Sequence, residues 1–207
     1  MNPASLPLGN GLIILWLALG WWPGSAFAQG NSAPLLTTIN NPTPAENGFF
    51  GCAVAAVGRD CVLVGAQDVG KAYLFTLNGT LLTTFTNRGL GVSLAAVGSD
   101  RVLIGTGGGG GPYLFATNGT LLTTFTNPAP ATIKEFGIFV AAVGSDRVVI
   151  VGLTDPNQPR PYPGSVCLFN TNGTLLTTFP NPAPADPGGY GVVAAAVGSD
   201  RLLLGAP

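Results

Sequence analysis

The sequence predicts an all-β protein, a β-propeller-like array of four-stranded antiparallel blades. Three observations support this prediction. The 207 residues include 31 Gly and 18 Pro, which oppose long helices. Short runs of Val, Ile, Leu, Thr, Tyr and Phe are bounded by Gly and Asn, as is typical of strands. Two motifs recur in alternation at intervals of about 40 to 54 residues, a spacing that indicates a propeller, solenoid or array.

The first 28 residues are predicted to be a secretory signal peptide. The apolar run from Gly11 to Trp22 is too short to span a bilayer. It is followed by Ala26-Phe27-Ala28, which has the small residues that a signal peptidase requires. Residues 29–207 then form the repeat domain, and we expect an exported protein, secreted, periplasmic or on the cell surface, with no membrane span after cleavage. An uncleaved membrane anchor is the alternative, because no Lys or Arg precedes the apolar run.

Two motifs define the repeat. The motif Asn-Gly-Thr-Leu-Leu-Thr-Thr-Phe begins at Asn78, Asn118 and Asn172, and a partial copy spans Leu35 to Ile39. The second motif has the core Val-Ala-Ala-Val-Gly-x-Asp, and its copies end at Asp60, Asp100, Asp146 and Asp200. These Asp residues are expected to shape a tight turn between the first two strands of each blade, because an Asp side chain can bond downstream backbone.

The Asn-Gly pairs predict the hairpin between the third and fourth strands. Two-residue type I′ turns favour Asn followed by Gly, since both central residues need positive φ. The pairs are Asn78-Gly79, Asn118-Gly119 and Asn172-Gly173. This turn type sets a register in which Phe75 lies opposite Leu82, Phe115 opposite Leu122, and Phe169 opposite Leu176.

The strands lack clean alternation of apolar and polar residues, which indicates sheets covered on both faces. Counting runs gives one strand from Leu35 to Ile39, three full repeats ending at Phe179, and two further strands, or about 3.75 blades. Propellers have four to eight blades. The sequence therefore predicts an incomplete propeller, either part of a longer protein or an open array that self-associates through exposed strand edges and faces.

The motifs resemble the FG-GAP repeats of integrin-α-type β-propellers, as found in secreted bacterial proteins. Phe50-Gly51, Phe136-Gly137 and Gly205-Ala206-Pro207 carry the resemblance, which covers residues 35–207. The FG position reads Leu90-Gly91 and Tyr190-Gly191 in two repeats. The resemblance implies a propeller for adhesion or ligand binding, often with Ca²⁺ held in blade loops.

Several classes of site are not expected. A Ca²⁺ loop needs several closely spaced oxygen ligands, whereas turns such as Asp100-Arg101 offer one carboxylate followed by a cation. Neither calcium nor another cofactor is therefore expected. The chain contains no His, which excludes Ser-His-Asp and Cys-His catalysis, so no enzyme is predicted. Eight basic against nine acidic residues argue against nucleic-acid binding.

The three cysteines are predicted to be isolated small apolar residues rather than a disulfide framework. Their number is odd, and Cys52, Cys61 and Cys167 each stand where sister repeats have another residue type.

The sequence therefore predicts non-catalytic binding or adhesion, with an unknown protein or glycan as partner. A carbohydrate-binding module is the first alternative, for which Tyr162 in the Pro-rich loop is the aromatic residue placed for rim contact. An enzyme on a propeller scaffold is the second alternative. The acids outside the turns are scattered over different repeats and select no catalytic pair: Glu46, Asp68, Glu135, Asp155 and Asp186.

Overall fold

The computed structural model describes residues 13–14, 35–44, 48–87, 89–107, 110–153, 164–180 and 193–205. Within these ranges the regular structure consists of sixteen β-strands and one 3-10 helix, Gln67–Val69. The all-β prediction is confirmed, and each of the fifteen predicted strands is present.

Three blades are four-stranded antiparallel sheets in which consecutive strands are neighbours. Blade I contains β3 (Phe50–Val57), β4 (Cys61–Ala66), β5 (Lys71–Thr76) and β6 (Leu81–Thr86). Blade II contains β7 (Leu90–Val97), β8 (Arg101–Thr106), β9 (Tyr113–Ala116) and β10 (Leu121–Thr124). Blade III contains β11 (Glu135–Val143), β12 (Arg147–Leu153), β13 (Gly164–Asn170) and β14 (Leu175–Phe179). Blade IV has two described strands, β15 (Val193–Val197) and β16 (Arg201–Gly205).

A separate two-stranded sheet joins β1 (Ile13–Ile14) to β2 (Thr38–Ile39). The predicted strand from Leu35 to Ile39 therefore exists as β2, and its neighbour β1 lies inside the predicted signal peptide. Ile39 is buried in a cluster with Phe50 and Tyr73 of blade I. Among the described strands, β2 is hydrogen-bonded to β1 and not to β15 or β16, so the array is open.

Both faces of blade II are covered, as the sequence predicts. In β8, Val102 and Ile104 belong to a cluster shared with blade I, whereas Leu103 belongs to a cluster shared with blade III. All three side chains are fully buried. Burial of each such side chain contributes roughly 1.5 to 3 kcal/mol, so the apolar core consists of the layers between consecutive sheets.

Glycines allow the backbones of neighbouring blades to approach closely. Gly91 and Gly137 lie near the start of β7 and β11 with φ of +95° and +99°. A Cβ on Gly105 would overlap the carbonyl oxygen of Gly137 and lie 2.5 Å from Ser93 Oγ. A Cβ on Gly65 would overlap the Gly91 carbonyl in the same way. The glycine near the start of one blade therefore packs on the glycine near the end of the second strand of the preceding blade, as in Gly91 on Gly65 and Gly137 on Gly105.

The predicted two-residue hairpins are wrong. Thr76 N–H donates to Thr80 O at 2.9 Å and Gly79 N–H donates to Thr76 O at 3.0 Å, which encloses three residues rather than two. Gly79 has φ of +87°, and the one described non-Gly residue with positive φ is Phe49, so Asn78 does not adopt the type I′ conformation. The loop is a type I turn followed by a left-handed glycine, the usual three-residue hairpin. The loops after β9 and β13 repeat both hydrogen bonds.

The predicted register fails next to the turn and holds beyond it. Phe75 pairs with Leu81, Phe115 with Leu121 and Phe169 with Leu175, where Leu82, Leu122 and Leu176 were expected. One step further, Leu74 pairs with Thr83, which is the register that a two-residue turn would set. A one-residue bulge in each outer strand therefore compensates for the extra loop residue.

Candidate binding surface

In blades I to III, the turn between strands one and two lies at the same end of the sheet as the hairpin between strands three and four. Leu77, Thr117 and Thr171, in the hairpin loops, each donate an N–H to the carbonyl oxygen of Asp60, Asp100 and Asp146, respectively, at 2.9 Å. These bonds tie the turn between strands one and two to the hairpin between strands three and four. The row of turns and hairpins formed by successive blades is named here the turn end.

The Asp residues of the turn end lie beside the following Arg. Asp100 Oδ1 is 3.6 Å from Arg101 Nε, and Asp146 and Asp200 have the same contact at 3.5 and 3.7 Å. These carboxylates are exposed, so each pair contributes at most about 1 kcal/mol. The role of the Arg residues is to join blades: Arg101 Nη2 donates to Ser145 O at 2.6 Å. Arg147 Nη2 donates to Ser199 O at 2.7 Å in the same way.

The Asn-Gly-Thr hairpins are shaped by their own side chains. Asn118 Oδ1 accepts the Thr120 N–H at 3.0 Å, and Asn172 Oδ1 accepts the Thr174 N–H at 3.0 Å. Asn therefore acts through its side-chain oxygen, in a turn that mimics a backbone turn. Asn78 Oδ1 accepts the Thr80 N–H at 3.4 Å.

The preceding blade contacts the hairpins of blades II and III. Thr83 Oγ1 donates to Thr117 O at 2.7 Å, and Thr123 Oγ1 donates to Thr171 O at 2.8 Å. A Cβ on Gly119 would lie 3.3 Å from Thr83 Cγ2, and Gly173 has the corresponding contact with Thr123 at 3.1 Å. These glycines are therefore required for a neighbour's approach as well as for positive φ.

A row of leucines is exposed beside the hairpins. The bulges in β6, β10 and β14 leave Leu82, Leu122 and Leu176 without a paired residue on the neighbouring strand. Their exposed fractions are 50%, 47% and 48%. Bulges commonly re-aim a side chain at a functional surface. We name these three residues the leucine row. The paired leucines before them are exposed to a similar extent, at 41%, 48% and 39% for Leu81, Leu121 and Leu175. Exposure is therefore shared by both leucines of each motif, in strands that lie at the edge of their sheets.

The described acidic residues do not form a metal site. Within the described ranges, no group of three or more His, Cys, Asp or Glu side chains is placed to hold a metal ion. Asp68 lies in the 3-10 helix and Glu135 begins β11, in different blades. Glu46, Asp155 and Asp186 lie outside the described residues.

Calcium is expected to leave the melting temperature unchanged. A ligand stabilises only a state that binds it, and each described turn offers a single carboxylate, three of which lie beside an Arg. Thermal unfolding followed by circular dichroism, with millimolar Ca²⁺ in one sample and EDTA in the other, measures this directly. An increase of several degrees with Ca²⁺ would contradict the prediction.

The cysteines are free thiols with different environments. Cys167 is buried, Cys61 is partly buried and Cys52 is exposed. Burial raises the pKa of the Cys167 thiol, partly offset by hydrogen bonds from Thr178 and Ser165. The prediction of isolated small apolar residues fits Cys167 best. The Cys52 thiol donates to Gly91 O at 3.0 Å.

We expect iodoacetamide to modify Cys52 well before Cys167 in the folded protein. The thiolate is the nucleophile, and a raised pKa reduces its fraction at pH 8, while burial also restricts access. Peptide mass spectrometry over a time course gives the order of modification, and the same reaction in urea provides the reference. Equal rates at both cysteines in the folded protein would be inconsistent with this environment.

One cavity of about 280 Å³ lies between blades II and III. Its lining includes Phe125, Asn127, Lys134 and Phe136, so the single charged group is the ammonium of Lys134. Asn127 already donates to Ile133 O and accepts from Ala129 N–H, at 2.8 and 3.0 Å. These lining residues provide no nucleophile with an adjacent base.

The exposed aromatic residue that sequence reasoning missed is Phe49. Its exposed fraction is 62% and its φ is +43°. A bulky residue rarely adopts positive φ, and such strain is concentrated at functional sites. Tyr162, the predicted rim contact, lies outside the described residues.

The fold and surface define an all-β, propeller-like repeat protein. No family model matches the chain and no curated protein matches it. Among the described residues, no helix is both long and apolar enough to cross a membrane.

Proposed function

We propose that this chain is an exported, non-catalytic binding or adhesion protein that binds another protein through the leucine row. The FG-GAP type of propeller is part of the proposal. It is supported by the contact between the first glycine of a blade and the last glycine of the preceding second strand, at Gly91–Gly65 and Gly137–Gly105.

The carrying observation is that three successive blades expose a bulged leucine at the same place. Leu82, Leu122 and Leu176 are each about half exposed, in outer strands whose other edge has no hydrogen-bonded neighbour in the described sheets. A recurring exposed apolar row indicates an interaction surface. An extended peptide adds readily to a free strand edge, and the apolar side chains then supply specificity.

The blade-to-blade bonds make this surface rigid. The outer strands β6 and β10 each donate a Thr hydroxyl to the next hairpin loop, at 2.7 and 2.8 Å. The leucines therefore stand in a fixed order on a preorganised scaffold, which lowers the entropy cost of binding.

The test is binding of the purified protein to a panel of immobilised extracellular proteins, compared with a triple variant Leu82→Ser, Leu122→Ser, Leu176→Ser. The wild type is expected to bind at least one member, and the variant to lose more than about tenfold in affinity, since three apolar side chains are removed. The control Phe139→Ser removes an exposed apolar side chain on β11, outside the leucine row, and is expected to retain binding. Equal binding by the triple variant and the wild type would overturn the proposal.

Carbohydrate binding is the second candidate, and Phe49 favours it. Sugars stack on exposed aromatic faces, and this ring is both exposed and held by a strained backbone. Glycan-array binding that is lost in Phe49→Ala or Tyr162→Ala would support a carbohydrate-binding module. Glycan binding unchanged in both variants, or no glycan binding at all, would exclude these aromatics as its platform.

A further inference from the structure

Blade IV exposes a face that blades I to III bury. Val197 and Leu203 have exposed fractions of 45% and 66%. The equivalent residues in the preceding blades are at most 2% exposed: Val57, Val97, Val143, Leu63, Leu103 and Val149. The difference arises because each of those side chains packs against the following blade.

The first blade exposes part of the opposite face. Val54 is 48% exposed and Ala56 is also exposed. The equivalent residues of blade II, Leu94 and Ala96, pack in the cluster shared with blade I. In blade III, Val140 and Ala142 pack against blade II in the same way.

The two exposed faces are complementary. Between blades I and II, Val57 and Leu63 share a cluster with Leu94 and Ala96. Val197 and Leu203 hold the first pair of positions, and Val54 and Ala56 hold the second pair. The contact between successive blades, which occurs three times inside the chain, can therefore also form between the exposed faces of blade IV and blade I.

An arginine supports the same pairing. Arg101 and Arg147 each donate to a Ser carbonyl of the following turn, at 2.6 and 2.7 Å, and are 25% and 34% exposed. Arg201 is 76% exposed, and its described partner is the carboxylate of Asp200. The carbonyl that corresponds to Ser145 and Ser199 in blade I is that of Arg59, at the end of the array where Val54 is exposed.

We propose that the exposed face of blade IV binds blade I of a second copy of this chain, head to tail. The two faces are not paired with each other within one chain, because Val54 and Leu203 are both exposed there. A second copy presents the matching face, because Val54 and Ala56 are exposed on its blade I. A head-to-tail contact is heterologous, so it forms either closed rings or open filaments. This proposal is independent of the leucine row, which lies on the outer strands.

The test uses two variants, each with one damaged face. Val54→Glu and Leu203→Glu place a carboxylate in the contact, and both positions are exposed in the monomer, so folding is expected to persist. The wild type is expected to show a mass that increases with concentration in light scattering coupled to size-exclusion chromatography. Each variant alone is expected to associate more than about tenfold more weakly, because an unpaired charge would be buried.

Mixing the two variants provides the decisive measurement. Val54→Glu retains an intact blade IV face and Leu203→Glu retains an intact blade I face, so the mixture is expected to form a dimer that cannot grow. Leu82→Glu, a charge on the leucine row, is the control and is expected to associate like the wild type. A monomeric wild type at all concentrations, unchanged association of either variant, or a mixture that stays monomeric would each overturn the proposal.

Discussion

Replacing Gly105 by Ala is expected to destabilise the protein by about 3 kcal/mol. The added methyl group would overlap the Gly137 carbonyl oxygen and lie 2.5 Å from Ser93 Oγ, so blades II and III would have to separate. Gly→Ala in a strand ordinarily stabilises by up to about 1 kcal/mol through the unfolded state, a gain too small to offset this overlap. In thermal unfolding the loss corresponds to a decrease in melting temperature of about 6 to 12 °C.

Gly205→Ala is the matched control. Gly205 holds the same place in blade IV, but the nearest atom to its added Cβ is Val193 Cβ at 3.6 Å, which is an ordinary contact. Gly205→Ala is expected to change the free energy of unfolding by no more than about 0.5 kcal/mol. Equal destabilisation by both substitutions would show that the close approach of blades is not the cause.

Phe125→Ala is expected to cost about 3 to 5 kcal/mol, since it leaves a cavity between two sheets. Phe125 is fully buried, and its ring centroid lies 5.5 Å from that of Phe169 in an edge-on arrangement. Urea unfolding followed by circular dichroism measures the loss.

Phe179 supplies the comparison for this substitution. It ends the same motif in β14 but is only partly buried, against the two described strands of blade IV. Phe179→Ala is expected to cost less than half as much as Phe125→Ala. Equal losses in the free energy of unfolding for the two substitutions would show that β13, the third strand of the next blade, does not provide the burial of Phe125.

Much of the architecture could be predicted from the positions of the turn-forming residues. The repeated Gly-x-Asp and Asn-Gly pairs locate the ends of strands, and the lack of alternation in runs such as Val102 to Ile104 indicates burial on both faces. The hairpin type could not be predicted. Asn-Gly suits both a two-residue turn and a type I turn followed by a left-handed Gly79, and the choice depends on hydrogen bonds such as that of Asn78 Oδ1 with the Thr80 N–H.

The candidate surface was harder to predict than the fold. The predicted register placed Leu82 opposite Phe75, whereas Leu81 takes that place and Leu82 lies in a bulge; both leucines are exposed. Phe49 adjoins the buried Phe50, and nothing in the pair Phe49-Phe50 distinguishes the strained, exposed ring from the packed one. The exposure of Phe49 accompanies a local backbone conformation, and that of Leu82 accompanies the edge position of β6; residue types alone determine neither.

Three of the four apolar clusters are shared by two successive blades, so the core of the described residues lies mainly between blades. Stability in such a chain is the sum of nearest-neighbour terms, so it increases with the number of junctions rather than with the number of residues. Blades II and III each have two described junctions, whereas blades I and IV each have one. Amide exchange is therefore expected to be slower in blades II and III than in blades I and IV. Duplication of one repeat adds one complete junction between blades, so a longer array of this kind is also a more stable one.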